Sequence, residues 1–256
     1  MSFSEPPSLS ISYLEFHLIF VIPVVVALMY LWKRREGFDG FGVAGLGIMV
    51  ALALVYTTPW DSYLIRKGVW GYGEGVVTTR LWKVPLGEYI FMALLPLVGG
   101  TWSYVVDAEP DVSFPLPYSP PAHLVGAVAG ASVGLIGYLL LSNPSTYYLG
   151  AILGWAAPVL ALQWGFGGAY LARRLRTVVY AIGVPTAYLC VVDWAAISMG
   201  LWQISPEHTV GLSVAGLPVE EITFFLVTNT FVVQGLVLWR WVVAKWGRDA
   251  GQTTEG

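Results

Sequence analysis

Seven long apolar stretches alternate with short polar or glycine- and proline-rich connections along the chain. A helix that crosses the roughly 30 Å hydrocarbon core of a bilayer needs about 20 apolar residues. Because lipid offers the backbone no hydrogen-bond partners, each stretch should be helical. The pattern therefore predicts an all-α integral membrane protein with seven transmembrane helices. The stretches cover about residues 13–32, 39–58, 85–106, 123–141, 147–171, 177–198 and 217–240.

The connections that follow the second and sixth stretches share a second pattern. Asp61 is followed nine residues later by Trp70, and Asp193 is followed nine residues later by Trp202. A glycine and an aliphatic residue stand directly before both tryptophans. Two copies of this arrangement indicate an internal duplication.

The start of the third stretch is repeated at the start of the seventh. Glu88 stands three residues after Pro85, and Glu221 stands three residues after Pro218. The offset between the copies is 132 residues up to the tryptophans and 133 after them, which indicates a one-residue insertion. Each copy holds three stretches, and the extra fourth crossing lets both copies run in the same direction. We therefore expect two parallel three-helix repeats related by an axis along the membrane normal.

This duplication divides the chain into four parts. The fourth stretch carries glycines at a spacing that favours close helix packing, at Gly126, Gly130 and Gly134. The parts are a first repeat at 1–106, an acidic, proline-rich linker with the connecting span at 107–146, a second repeat at 147–246 and a polar tail at 247–256.

Composition supports the membrane class. The chain is 56% hydrophobic and 11% charged, whereas soluble domains carry about 25% charged residues. Its net charge is −3 and it has no basic tail, so nucleic acid is not an expected partner. The basic residues of the short loops at 33–35 and 173–176 place these two loops on the same side of the membrane. The loops around Trp70 and Trp202 then lie on the other side. Four basic residues in the second connection break this bias.

The sequence patterns that could indicate a common cofactor are better explained in other ways. Residues 40–45 match GxGxxG, but they open a membrane helix instead of a βαβ unit, so helix packing explains them better. A retinal protein needs a lysine at mid-span, and the four lysines stand near the ends of spans. The three histidines are scattered. We expect neither a cofactor nor a metal ion.

Carboxylic acids at the ends of the apolar stretches are the candidate catalytic residues. Acidic residues in or beside a span cost free energy and usually serve function, although the helix N-terminus could explain Glu88 alone. Burial and a second carboxyl group nearby both favour the protonated form, which can act as a general acid. The candidates are Asp61, Glu88, Asp193, Glu220 and Glu221.

Aromatic residues gather around these acids, and their π faces stabilise cations. Tryptophan and tyrosine also anchor helices at membrane interfaces, and the amide of a buried asparagine can join two helices by hydrogen bonds. Both structural roles therefore stay open for the aromatic residues and for Asn229. A membrane substrate without heteroatoms offers only double bonds to protonate. The pattern thus predicts a proton-initiated cyclase or isomerase of a polyene. The candidate substrate-binding residues are Trp60, Trp70, Tyr72, Phe91, Trp202, Phe224 and Asn229.

Three motifs together resemble the membrane-type lycopene β-cyclases, which occur as two small subunits in some actinobacteria and as fused proteins in haloarchaea and fungi. The motifs are Trp60-Asp61 with the following Gly-Val-Trp, Pro-Leu-Gly-Glu at 85–88, and Pro-Val-Glu-Glu at 218–221. The resemblance implies conversion of lycopene to β-carotene through γ-carotene without net redox change, by an intramolecular lyase or isomerase of the cell membrane. The implied partners are lycopene and the bilayer, with self-association or contact with other carotenoid enzymes possible.

Two other functions stay open. Carotenoid end-group hydratases share the general architecture, and small-solute or proton-coupled transporters also combine repeats with intramembrane acids. A transporter would line a wet path with polar residues at mid-span, whereas these spans are apolar and the acids cluster toward one side. The first copy has Gly87 where the second has Glu220, so the copies need not be equally active. The sequence also allows one site for both substrate ends or one site in each repeat.

Overall fold

A computed structural model describes residues 11–35, 37–107, 109–115 and 120–253, with side chains described up to residue 247. Seven helices in this part of the chain are long and apolar enough to cross a membrane. The prediction of an all-α, multi-span membrane protein is therefore confirmed. The helices are α1 Tyr13–Arg35, α2 Gly40–Lys67, α3 Leu86–Val106, α4 Pro120–Leu140, α5 Tyr147–Arg173, α6 Leu175–Ser198 and α7 Val219–Thr253.

The second helix is longer than predicted. The expected end near residue 58 is wrong, because α2 continues through Pro59 and ends at Lys67. Thr58 donates its hydroxyl to the carbonyl of Leu54 there, at 2.6 Å. Asp61 consequently lies inside a helix instead of at its end. Gly68 then caps α2 in the left-handed conformation, with φ 78°.

The chain end also differs from the pattern-based boundaries. Helix α7 continues to Thr253, so residues 247–253 of the expected polar tail are helical. Residues 254–256 lie outside the described part of the chain.

The two aromatic connections pair with each other. Strand β1 (Trp70–Tyr72) runs antiparallel to the fourth strand, Trp202–Ile204, with Gly71 opposite Gln203 at the centre. These two residues are separated by the 132-residue offset of the sequence repeat, so the pairing is centred on equivalent positions. Both connections therefore lie at the same end of the molecule, which we call the strand end.

Backbone hydrogen bonds on either side of this pairing are also matched. Gly73 donates its N–H to Leu201 O at 3.1 Å, and Ser205 donates to Val69 O at 2.8 Å. The donors are 132 residues apart, as are the acceptors. A two-fold axis along the membrane normal would produce such reciprocal contacts, and they support the prediction of parallel repeats.

A short hairpin precedes the third helix of each half. Strands β2 (Arg80–Leu81) and β3 (Val84–Pro85) lead into α3, and β5 (Ser213–Val214) and β6 (Leu217–Pro218) lead into α7, with Trp202–Ile204 as β4 between them in chain order. Each hairpin places a glutamate in the first turn of the following helix.

The acidic linker and the basic loops meet at the opposite end. Arg35 donates to Val105 O at 2.5 Å, Arg173 pairs with Asp111 at 2.9 Å, and the Arg174 guanidinium bonds the carboxylate of Asp107. Residues 33–35 and 173–176 thus lie at the end of the bundle away from the strands, as the loop charges predict.

The connecting helix packs closely on α5. A side chain at Gly126 or Gly130 would run into backbone atoms of Trp164 or Ala161. The small residues therefore let the two helix backbones approach, which is the role predicted for the glycine spacing.

Candidate active site

A cavity of about 540 Å³ lies inside the bundle. Four acidic residues line it at the strand end, and along α7 its lining extends from Glu221 to Leu238. At 1.5 Å per residue this is a slot about 25 Å long. The acids come from α2, α3, α6 and α7, and they are Asp61, Glu88, Asp193 and Glu221.

The first acid pair is held by residues of the first connection. Tyr72 donates its hydroxyl to Glu88 Oε1 at 2.7 Å, and Trp70 Nε1 donates to that hydroxyl at 3.0 Å. Burial raises the pKa of Tyr72 well above its usual range, and the charges of Glu88 and Asp61 raise it further. The phenol therefore stays protonated and acts as a hydrogen-bond donor to Glu88.

The second acid pair has a different donor arrangement. Trp202 Nε1 donates directly to Asp193 Oδ1 at 2.9 Å. Tyr148, at the start of α5, lines the cavity together with Glu221. Its backbone N–H donates to His208 O at 3.0 Å, much as Tyr13 N–H donates to Val76 O at 3.3 Å in the first half.

Three carboxyl oxygens on these acids have no hydrogen-bond partner among the residues that the structure describes. They are Asp61 Oδ2, Asp193 Oδ2 and Glu221 Oε1, and all are buried. A buried polar atom without a partner is costly and usually indicates a function. All three belong to side chains that line the cavity.

Stacked aromatic rings form a wall of the cavity near the acids. Trp60 and Phe224 are almost parallel, with an interplanar angle of 3° and ring centroids 5.9 Å apart. Trp155 stacks on Trp60 at 4.9 Å. Such ring faces carry the negative potential that attracts a cation.

Most of the predicted site residues line this cavity together. Besides the four acids, the predicted aromatic residues in its lining are Trp60, Trp70, Phe91, Trp202 and Phe224.

Three predicted site residues lie outside the cavity lining. Tyr72 lies behind Glu88, which it hydrogen-bonds. Glu220 is fully buried and accepts a hydrogen bond from the backbone N–H of Val210 at 2.7 Å. Asn229 donates to Thr186 Oγ1 at 3.3 Å and therefore joins α7 to α6. These contacts tie Glu220 to the loop and Asn229 to α6. Because Glu220 Oε2 and Asn229 Oδ1 are also buried without a partner among the described residues, the site roles predicted for both residues stay predictions.

The lining residues that sequence reasoning missed include Tyr13, Tyr148 and Trp155. The two tyrosines start the first helix of each half and make matching backbone contacts. They are 135 residues apart, so the 132-residue offset conceals their equivalence. A repeat comparison that allowed a three-residue insertion would have found them.

Comparison with known proteins gives a consistent result. The family model described as lycopene cyclase matches the chain twice, at residues 13–105 and 145–237. No solved structure matches.

Curated relatives carry the same description. The chain is 48% identical over 237 residues to a lycopene beta-cyclase of Halobacterium salinarum, which covers 92% of this chain and 98% of the relative. It is 31% identical to a bifunctional lycopene cyclase/phytoene synthase of Phycomyces blakesleeanus and 34% identical to that of Blakeslea trispora. Each match covers 87% of this chain and 38% of the fungal protein.

Proposed function

The chain belongs to the lycopene cyclase family, and on this premise we propose that it is a lycopene β-cyclase that converts lycopene to β-carotene in the cell membrane. The observation that carries the proposal is the set of four carboxyl groups, three of them buried and that of Glu88 half-buried, at the aromatic end of an apolar slot. Proton transfer to a hydrocarbon needs an acid in a site without bulk water, and this cavity supplies both conditions.

The reaction begins with proton transfer from a carboxyl group to the terminal double bond of one ψ end group. The proton forms a new C–H bond, and the other carbon of that double bond becomes a tertiary carbocation. The electron pair of an internal double bond then attacks this cation. A carbon–carbon bond closes the six-membered ring and moves the positive charge onto a ring carbon.

A carboxylate completes the reaction by removing a proton from the ring carbon next to the new cation. The electrons of the broken C–H bond form the double bond of the β-ring. One proton is gained and another is lost, so each cyclisation is an isomerisation that consumes no redox equivalent. The same sequence on the second end group converts γ-carotene to β-carotene.

The cavity lining stabilises the cationic intermediate. Trp60, Trp155 and Phe224 present stacked ring faces, and a cation beside such a face gains about 0.5–2 kcal/mol or more when desolvated. An apolar, enclosed end of the slot also keeps water from trapping the cation as an alcohol. Farther along the slot the lining residues Leu52 and Leu162 are apolar, which does not favour the transporter alternative.

The paired connections support a further part of this proposal, that the two halves are parallel repeats with their acids on one side of the membrane. Single cysteines at the exposed loop positions Glu74 and Glu207, in a Cys190→Ser background, test it. We expect a membrane-impermeant maleimide to label both cysteines from the same side. Labelling from opposite sides would contradict the parallel arrangement.

Isotope labelling tests the proposed chemistry. In heavy water, we expect mass spectrometry to show one solvent deuterium in each ring formed. No oxygen should enter the product from labelled water, and purified protein should need no flavin or nicotinamide. A labelled hydroxyl group in the product would instead indicate a hydratase.

A cellular test is simpler. Expression in a host that accumulates lycopene should turn red cells yellow-orange as β-carotene forms. Unchanged lycopene, with the chain present in the membrane, would contradict the proposed activity.

A further inference from the structure

We propose that the two acid pairs form one composite chamber in which a single end group meets both pairs, one pair supplying the proton and the other removing one. The pairs are Asp61 with Glu88 and Asp193 with Glu221. This inference rests on the proposed function and specifies how the two halves divide the reaction. The alternative is that each half cyclises one end of the substrate by itself.

A short chain of contacts joins the two pairs. Tyr72, which bonds Glu88, lies 6.2 Å from the ring of Tyr13. Tyr13 lies 5.1 Å from Trp202, whose indole N–H bonds Asp193. The groups that position one acid pair therefore touch the groups that position the other.

Residues next to the acids also meet across the halves. Trp60 precedes Asp61 in α2 and stacks on Phe224, which lies one helical turn after Glu221 in α7. Glu88 interacts electrostatically with both Asp193 and Glu221. All four acids line the same cavity at its strand end. The pairs thus surround one space.

The shape of the substrate prevents both of its end groups from lying among the acids at the same time. Conjugation keeps a long polyene planar and extended, so its end groups stay far apart. The slot runs away from the acids for about 25 Å along α7, from Glu221 to Leu238. A slot of this length can hold the extended polyene only if one end group lies among the acids and the rest of the chain extends along the slot.

The slot also has an open side through which the rest of the substrate can extend. Leu52 of α2 and Leu162 of α5 line the cavity and are also 55% and 71% exposed on the outer surface of the bundle. Tyr56 and Trp60 bond carbonyls of α5 at Trp155 and Ala151, which closes the slot near the acids. The polyene can therefore leave the closed acid end toward lipid.

The chemistry needs two sites of proton transfer on one end group. The proton is added at the terminal double bond and removed from a carbon at the ring junction, so donor and acceptor contact different atoms. In the described part of the chain both pairs carry an unpartnered carboxyl oxygen, and the side chains of all four acids line this space. After each cyclisation the donor pair regains a proton and the acceptor pair releases one, which restores the charge balance.

Inactivating one pair at a time separates the two arrangements. The variants are Asp61→Asn with Glu88→Gln, and Asp193→Asn with Glu221→Gln, each assayed with lycopene and separately with γ-carotene. We expect both variants to lose at least about 10²-fold in both conversions. We also expect no accumulation of γ-carotene from lycopene. A variant that converts lycopene to γ-carotene and stops there would overturn the composite chamber.

The controls distinguish a failed inference from a failed protein. Glu109→Gln changes an exposed carboxylate at the opposite end of the bundle and should keep wild-type rates. If a double variant is not recovered folded by size-exclusion chromatography, the single variants Glu88→Gln and Glu221→Gln give the same two readouts. A wild-type chain that does not cyclise lycopene contradicts the proposed function itself, whereas stalled monocyclic product contradicts only the composite chamber.

Discussion

The two halves of the molecule place their acids alike but hold them with different hydrogen-bond donors. In the first half, Trp70 donates to Tyr72, and Tyr72 donates to Glu88. In the second half, Ile204 occupies the strand position equivalent to Tyr72, and Trp202 donates directly to Asp193. A side chain of the paired strands therefore donates to the glutamate (Glu88) in the first half and to the aspartate (Asp193) in the second.

The helix starts differ as well. A side chain at Gly87 would run into the ring of Tyr13, so the glycine is needed for the tyrosine to pack against α3. The second half has Glu220 at that position, where the carboxylate accepts a backbone hydrogen bond from Val210 instead. The same fold thus uses this position to seat a cavity residue in one half and to fix a loop in the other.

These differences show where duplicated halves are free to diverge. The backbone contacts that pair the connections are reciprocal, because both halves contribute to the same strand ladder. The side-chain donors are local to each half and can change without disturbing that ladder. The acid pairs are therefore equivalent in position but not in hydrogen bonding, which suits different roles in proton transfer.

The largest expected effect comes from removing the titrating proton in either half. Glu88→Gln and Glu221→Gln keep the side-chain size, and each should lower the rate of β-carotene formation at least about 10²-fold, since both glutamates contact the cavity. The rates are measured by chromatography of pigments at matched protein levels. Near-normal turnover in both variants would remove these residues from the mechanism.

Removing the donors should have a smaller effect that tests the contrast between the halves. Tyr72→Phe leaves Glu88 without its phenol, and Trp202→Phe leaves Asp193 without its indole. A hydrogen bond to a charged group contributes about 1.5–3 kcal/mol, so we expect turnover to fall roughly 10- to 100-fold in each variant. Tyr89→Phe, which loses only an exposed bond to Leu81 O, is the matched control.

If Tyr72→Phe and Trp202→Phe shift the pH profile of turnover in the same direction, the two donors serve equivalent acids. Opposite shifts would sharpen the contrast, because one donor would then act on the proton-donating pair and the other on the accepting pair.

The position shared by Gly87 and Glu220 should give a moderate effect in the first half and a small one in the second. Gly87→Ala forces the Tyr13 ring to move, and overpacking of this kind costs about 1–3 kcal/mol of stability. Glu220→Gln keeps an oxygen acceptor for Val210 N–H and should change turnover less than about tenfold. Thermal unfolding in detergent and the pigment assay measure the two quantities. A complete loss of activity in Glu220→Gln would instead support the catalytic role predicted for this residue from the sequence.

Much of the site was predictable because the chemistry lies in repeated local motifs. Asp61, Glu88, Asp193 and Glu221 stand at matched spacing, and a charged residue in an apolar span is rare enough to be noticed. Their meeting in one cavity follows from helices that start or end at the same side of the bundle. The sequence pattern therefore shows both the spacing of the acids and the ends of the helices that carry them.

The remainder depends on packing between elements far apart in the chain. The second apolar stretch was predicted to end near residue 58, but the helix continues through Pro59, because a single proline within a long membrane helix is tolerated when neighbouring groups satisfy the freed carbonyl. Trp155 lies in the middle of an apolar stretch and has no acidic neighbour in sequence. Its place beside Trp60 is set by the contact between α2 and α5, which hydropathy does not report.

The smallest expected effect lies in the turns of the two hairpins. Lys83 has φ 72° in the first half, and Gly216 has φ 90° at the equivalent position in the second. A left-handed conformation costs a side-chain-bearing residue roughly 1–2 kcal/mol, whereas glycine adopts it freely. Gly216→Lys should therefore lower the free energy of unfolding by about 1 kcal/mol.

The reciprocal change, Lys83→Gly, should alter stability by less, because relief of the turn is partly offset by the greater freedom of glycine in the unfolded chain. Thermal unfolding of both variants in the same detergent measures the two changes. Since neither residue lines the cavity, turnover at a temperature well below unfolding should stay at the wild-type rate in both. A loss of activity without a loss of stability in Lys83→Gly would mean that this turn positions Glu88, three residues into the helix that follows the hairpin, and the two halves would then differ in their turns as well as in their donors.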